Sequence, residues 1–267
     1  MKLYHGIPSV CSIKVRIGLA EIGLDYKSIV LDLPKGDQHD PEYLKLNADG
    51  VVPTLVDDDL VLVESSLILE YLDRAYNQSR LMPNGRAAEY AARHWLLRCL
   101  AIHAGINTLT FSTAMRDRTL ASKSPQDIDA MLAKMPDPTM RSKRRDLLDH
   151  GLASGHIQPA LKQLQRTFED MGQALRQNDW VAGQSFGIAD IALVSYIDRL
   201  ERLGFEGLWA VSEPRVGDWL AAMQGRSSYI SEVVGKIDAG AADEMRAGGQ
   251  KHWQELKAQW QVTIAAC

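Results

Sequence analysis

Val52, Pro53, Glu64 and Ser65 have the types and spacing to hold a ligand that carries both charges. Proline cannot donate to a ladder, so Pro53 at the head of the β-branched run 54–56 marks a strand's first residue or an edge. With the Val52–Pro53 bond cis, the Val52 N–H and C=O turn out of the sheet, where an extended peptide can pair with them. Ser65 and the first N–H groups of a helix starting there form a nest for a carboxylate. Glu64 can accept from an ammonium. The stretch reads as a seat for a small zwitterionic peptide. Near the N-terminus, Ser9, Cys11 and Ser12 gather two hydroxyls and a thiol ahead of a helical pattern. There is no metal-ligand spacing and no CxxC, and the glycine-rich runs lack the Walker or dinucleotide pattern. Metal, ATP and NAD chemistry are therefore not implied.

The elements that must position these residues follow from periodicity. Runs 54–56 and 60–63 flank Asp57-Asp58-Asp59 and predict a β-hairpin. At Glu64-Ser65 the period changes from 2 to 3.6, with Leu67, Ile68, Tyr71 and Leu72 apolar. Upstream, 2–5 predicts a strand and 12–22 a helix stopped by Gly23, with Leu24 placed for a Schellman contact. A second strand is expected over 26–31 and a short helix over 41–46. The order β-α-β-α-β-β-α is that of a thioredoxin-like domain, expected over residues 1–80. Pro83 and Gly85 punctuate the boundary, and everything after it reads helical. A substrate-side helical domain is expected over 86–235, with one long helix over 86–116 and an insertion at 117–153. Within the insertion, Ser124-Pro125 and Asp127 predict a capped helix running to about Lys134. Residues 236–267 form a tail whose Trp253, Leu256 and Trp260 share one face, expected to pack back on the body.

Composition narrows the function classes. The 267 residues are 46% hydrophobic and 24% charged, with a net charge of −4. That is a globular balance with no preference for a polyanion, so no nucleic-acid partner is expected. The basic run 141–145 is expected to be a solvated helix face. No apolar run reaches the length of about 18 residues that a membrane span needs. The three cysteines, Cys11, Cys99 and Cys267, are odd in number and far apart. That points to reduced thiols and a cytoplasmic location.

Val52-Pro53 and Glu64-Ser65, at this spacing, resemble the glutathione site of the cytosolic glutathione transferases. The segment Ser9-Val-Cys-Ser-Ile-Lys-Val-Arg-Ile-Gly-Leu-Ala-Glu-Ile-Gly-Leu-Asp-Tyr26 is similar to the opening of the tau and zeta classes. Leu46-Asn-Ala-Asp-Gly-Val-Val-Pro-Thr-Leu55 resembles their Asn-Pro-x-Gly-x-Val-Pro-x-Leu run, with Ala48 in place of the usual proline. Gly183-Gln-Ser-Phe-Gly-Ile-Ala-Asp190 resembles the family's second-domain capping box. Here Gly187 stands where Ser or Thr is usual, so only the Asp190 half remains and that helix end is expected to be less firmly held. The Pro-rich segment and basic helical run of the insertion are similar to the bacterial glutathione-dependent β-aryl etherases.

The resemblance implies a thioredoxin-like domain followed by an all-α domain, with glutathione as cosubstrate. Val52 would pair with its backbone, Glu64 and Ser65 would hold the γ-glutamyl end, and Gln38 or His39 would reach the glycyl carboxylate. The implied reaction is attack of the glutathione thiolate on a hydrophobic, aromatic electrophile, including ether cleavage of the etherase type. A serine donates a hydrogen bond to the thiolate and cannot be a general base, since no triad partner is evident. The tau and zeta register places that role on Ser9. A beta-class register places a catalytic cysteine on Cys11, and etherase-like sequences keep Ser12 in play. Ile7, Pro8, Trp95, His103, Asn107, Phe111 and Met115 are candidates for the electrophile wall. His103 and Asn107, four apart on one face, are the polar contacts among them. The insertion, with Met131, Met135 and Met140, is expected to cover that wall as an adaptable lid. The family implies a homodimer. Two other readings stand beside the transferase: a non-catalytic binding module on the same fold, and a thiol transferase acting through Cys11.

Overall fold

The computed structural model describes residues 1–265; Cys267 lies outside the described residues. The chain begins with strand β1 (Lys2–His5), helix α1 (Val10–Ile22), strand β2 (Lys27–Val30) and the short helix α2 (Pro41–Leu44). Strands β3 (Thr54–Asp57) and β4 (Leu60–Leu62) and helix α3 (Ser65–Tyr76) follow. The four strands form one sheet in the order β2-β1-β3-β4. β1 runs parallel to β2 and antiparallel to β3, with Tyr4 opposite Thr54 and Lys2 opposite Val56. This is the mixed sheet expected for a thioredoxin-like domain. Leu3, Val15, Leu19, Leu55, Ile68 and Leu72 form its core between the sheet and the paired helices.

α1 starts two residues earlier than its apolar pattern, because the Ser9 side chain caps it by accepting from the Ser12 N–H at 3.3 Å. It ends as the sequence predicts. Gly23 takes a left-handed φ of 75°, its N–H bonds Ala20 C=O, and the Leu24 N–H bonds Leu19 C=O. That pair of bonds is the Schellman ending. Lys14 Nζ donates to Ser66 Oγ at 3.0 Å, and Leu69 packs against Gly18. The two contacts climb both helices in the same direction, so α1 and α3 lie parallel with their N-termini at one end of the sheet.

The rest is helical: α4 (Arg86–Ser112), α5 (Ala114–Ser122), α6 (Pro125–Ala133), α7 (Pro138–His150), α8 (Ile157–Gln177), α9 (Ile188–Arg202), α10 (Pro214–Gln224), α11 (Ser227–Tyr229), α12 (Ala239–Gln250) and α13 (Trp253–Ala265). Two compact units emerge. The first comprises 1–99, 177–195 and 219–238; the second comprises 100–176, 196–218 and 239–267. The expected single helix over 86–116 is in fact two. Thr110 and Thr113 hydroxyls bond the carbonyls of Ile106 and Leu109, and Thr113 leaves helical geometry with φ −127° and ψ −112°. Hydroxyls that bond back to their own helix compete with its continuation. In the insertion, Ser124 and Asp127 form a complete capping box on α6. Trp253, Leu256 and Trp260 do pack back on the second unit, with Trp253 stacked on Phe205 and Trp260 edge-on to Phe168.

The start of α9 corrects an expectation. It is held by other means than a cap hydroxyl: the Leu81 carbonyl accepts from the Ile188 N–H at 2.8 Å, satisfying one of the open first-turn donors. Asp190, fully buried, accepts from the N–H groups of Gly187 and Val181 and from Trp219 Nε1. Burial pushes its carboxyl up to about 6 against those bonds. A Cβ at Gly187 would lie 2.6 Å from the Leu81 oxygen. Restoring the family's usual residue with Gly187→Ser is therefore expected to destabilise, by about 1–3 kcal/mol, as overpacking does. Urea unfolding measures it; a gain in stability would contradict this account of the glycine.

Candidate functional site

The loop between β1 and α1 carries Ile7, Pro8 and Ser9, and a buried arginine fixes it. Arg16 has no solvent exposure. Its guanidinium donates to the carbonyls of Gly6 (3.4 Å), Ile7 (3.2 Å) and Glu232 (2.8 Å), and Nε lies 3.3 Å from the Glu232 carboxylate. Ser12, also fully buried, accepts from the Gly6 N–H through Oγ at 3.3 Å, which ties the loop to the first turn. Ser9 is half-buried; its Oγ accepts from Ser12, while its own hydrogen has no acceptor among the described residues. Cys11 is half-buried in the first turn of α1.

The antiparallel pairing of β3 with β1 brings Val52 and Pro53 to the same end of the sheet. The Val52–Pro53 bond is cis. Tyr43 Oη and Asn47 Nδ2 both donate to the Val51 carbonyl, and both also bond Thr54 Oγ1. This network fixes the chain on either side of Val52, whose own N–H and C=O have no hydrogen-bond partner among the described residues. Gly50, with φ 62°, lets His39 come close: a Cβ there would lie 2.9 Å from the imidazole. His39 and Gln38 occupy a short 3-10 turn, and Gln38 Oε1 is buried without a partner among the described residues.

α3 opens at the same end. Glu64 precedes it with φ 67° and ψ 103°, a left-handed conformation that leaves its side chain exposed. No side chain caps the helix, so its first-turn N–H groups stay available, and Ser65 Oγ makes no hydrogen bond among the described residues. Donors without acceptors, beside an unpaired carboxylate, suit a ligand with an anionic and a cationic group.

The remaining candidates divide. His103, Asn107 and Phe111 recur every four residues on α4 in the second unit, each half-buried, and Met115 lies in the first turn of α5. His103 lies 5.9 Å from the Tyr196 ring, centre to centre. Trp95 is core: 5% exposed, with Nε1 bonded to the Val181 carbonyl at 3.1 Å. Met131 and Met135 pack on Ile128, Leu132 and Leu148, and of the three insertion methionines only Met140 is exposed. Sequence reading missed Arg16, Tyr43, Asn47 and Thr54 as the residues that position the site. A buried arginine inside an apolar helix pattern was the available signal for the first.

Residues 1–74 match the glutathione S-transferase N-terminal domain, and residues 146–222 match the corresponding C-terminal domain, together more than half of the chain. The chain belongs to the glutathione S-transferase family. It is 40% identical over 114 residues to glutathione S-transferase Z1 of Arabidopsis thaliana, covering 42% of this chain and 52% of that one. The match thus spans about half of that relative. It is 24% identical over 240 residues to the tetrachloro-p-hydroquinone reductive dehalogenase of Sphingobium chlorophenolicum, covering 88% and 96%. Among solved structures, the β-etherase LigF of Sphingobium sp. strain SYK-6 superposes with a TM-score of 0.74 at 22% identity, covering 86% of this chain and 97% of that one. That likeness establishes the fold. No described helix is long and apolar enough to cross a membrane.

The loop that carries Ser9 also rests on a titratable group. His5 is fully buried; Nε2 meets Ser28 Oγ at 2.7 Å and Nδ1 faces Arg16 at 3.4 Å. Burial, with Arg16 and Lys236 adding to it, pushes its pKa from 6.5 down to about 4. An unfolded chain binds this proton below about 6.5 and the folded one only below about 4, so stability falls as pH drops through that window. Between pH 7 and 5 the loss should be about 2 kcal/mol. Urea unfolding of wild type and His5→Gln at both pH values checks this: the difference between their losses should be of that size, and parallel losses would refute it.

Proposed function

We propose that the chain is a glutathione transferase that ionises the glutathione thiol and directs it at an aromatic electrophile. The observation that carries this is the set of open groups at one end of the sheet: the Val52 N–H and C=O, the uncapped start of α3, and Ser9. Val52 pairs with the cysteinyl backbone. Ser65 and the first N–H groups of α3 take the γ-glutamyl carboxylate, and Glu64 takes its ammonium. Gln38 and His39 are assigned the glycyl end. Ser9 donates its hydroxyl hydrogen to the sulfur, which the N-terminus of α1 also favours as thiolate. The proton leaves to solvent, the sulfur bonds to the electrophilic carbon, and the leaving group departs with its bonding pair. A halide or an aryloxide can fill that last role, so ether cleavage is one form of the same attack.

Ile7 and Pro8, beside Ser9, are assigned to the electrophile in the first unit; His103, Asn107, Phe111 and Met115 are the candidates in the second. Ser12 is left a structural part, since its buried oxygen already accepts from Gly6. The homodimer rests on the family resemblance, and the cytoplasmic location on the few, widely spaced cysteines. Against a non-catalytic module stands the hydroxyl of Ser9, whose hydrogen such a module would not need. One observation favours a second chemistry: Cys11 sits half-exposed in the first turn of α1, where a helix N-terminus stabilises a thiolate. Oxidised glutathione would then exchange with it: the Cys11 thiolate attacks one sulfur to form a mixed disulfide, and reduced glutathione leaves with the other.

Turnover on a panel of aryl halides and aryl ethers separates the two. Ser9→Ala should lower conjugation on the order of tenfold or more, the effect of losing a charge-assisted hydrogen bond, and move its onset to higher pH. Cys11→Ala should leave it largely intact. The reverse pattern, with a glutathione adduct on Cys11 by mass spectrometry, would replace this reading with a thiol transferase.

A further inference from the structure

The basic run of the insertion is only partly a solvated face. On α7, Arg141 donates to the Met135 carbonyl, and Arg145 pairs with Asp129 and Asp149. Lys143 and Arg144 are half-buried like these two but are not tied down in this way. The Arg144 guanidinium carbon lies 3.1 Å above the centre of the Phe111 ring. Neither cation has a hydrogen bond or ion pair among the described residues. Burial pushes Arg144 down to about 10, and burial together with Arg144 lowers Lys143.

The acids nearby are committed elsewhere. Asp117 pairs with His252 and Arg116, Asp146 with Ser154 and His150, and Asp127 with Ser124. Asp137 caps its own helix. The second-unit part of α4, residues 100–112, contains no Asp or Glu. Two adjacent cations, losing water and lacking a counter-ion, are costly to leave unpaired. Stacking on Phe111 offsets part of that cost for one of them. A planar guanidinium on an aromatic face keeps its N–H fork free for a carboxylate, which Arg binds at two points. Asn107, one turn back on the same face of α4, is half-buried as well.

We infer that the second unit binds aromatic anions: Arg144 and Lys143 hold a carboxylate or similar anionic substituent next to the Phe111 ring. The inference goes beyond the transferase reading and does not depend on it. It turns a generic apolar wall into one that selects aromatic acids over their neutral analogues. Phe111 and Asn107 flank the ring of the ligand, and the cations hold its charged end.

Calorimetry with a matched inert pair, para-nitrobenzoate and para-nitrobenzamide, tests it on the full chain. The wild type should bind the acid about five- to tenfold tighter than the amide at low salt, as expected of a partly desolvated charge pair. That preference should shrink as ionic strength rises. Arg144→Met should abolish the preference without weakening the amide, and Lys143→Met should reduce it, giving a second variant should the first lose cooperative melting. Equal affinity for acid and amide in the wild type, or a preference that survives Arg144→Met, would overturn the anion site. These ligands need no thiolate. A preference intact in a protein with no conjugating activity therefore counts against the transferase reading alone.

Discussion

A guanidinium with no contact to water must find acceptors inside the protein, and the first unit is arranged around how Arg16 finds them. Its partners are the Gly6, Ile7 and Glu232 carbonyls and the Glu232 carboxylate. A charge-assisted hydrogen bond contributes about 1.5–3 kcal/mol, and leaving a buried donor unmade costs a similar amount. The loop before α1 therefore has one stable path, and that path delivers Ser9 to the helix N-terminus as its cap. His5, which faces the same guanidinium, stays neutral for the same reason. The Ser9 hydroxyl is thus positioned from seven residues further along the chain.

The proposed catalysis asks little more of the protein. A thiol with a pKa of about 8.5 must lose roughly two units to be mostly ionised near neutral pH, which is about 2.7 kcal/mol of differential stabilisation. One hydroxyl hydrogen bond and the start of a helix can supply that sum. In the proposed complex the rest of the site would hold the peptide still. Tyr43 and Asn47 brace the chain beside Val52 while leaving its backbone open, and α3 begins with neither a side-chain cap nor a paired Ser65. Folded proteins seldom leave so many polar groups unmatched in one place without a ligand to match them.

Much of this was legible in the sequence, for physical reasons. Strands and helices of the first unit are short and bounded by Gly, Pro or capping residues, and these fix element ends locally. Gly23 and Ser124 are cases where one residue type names the geometry. The errors come from interactions that no local pattern carries. Gly187 looked like a lost cap, because a carbonyl from Leu81, over a hundred positions away in the chain, does the capping. The break at Thr113 depends on hydroxyls that bond backwards in their own helix. The run at 141–145 read as uniformly solvated, yet its residues point in different directions around α7, and only tertiary packing turns Arg144 onto Phe111. The open groups at Val52 and Ser65 were readable as motif, but that they are unpaired is a fact of the fold.

The central claim is that this site ionises glutathione through Ser9. Titrating the ultraviolet thiolate absorbance of glutathione bound to the protein tests it without any electrophile. The account predicts a bound thiol pKa about two units below the free value of about 8.5, near 6.5, and a return most of the way to the free value in Ser9→Ala. A bound thiol that titrates like free glutathione, or a depressed pKa that Ser9→Ala leaves unchanged, would contradict it.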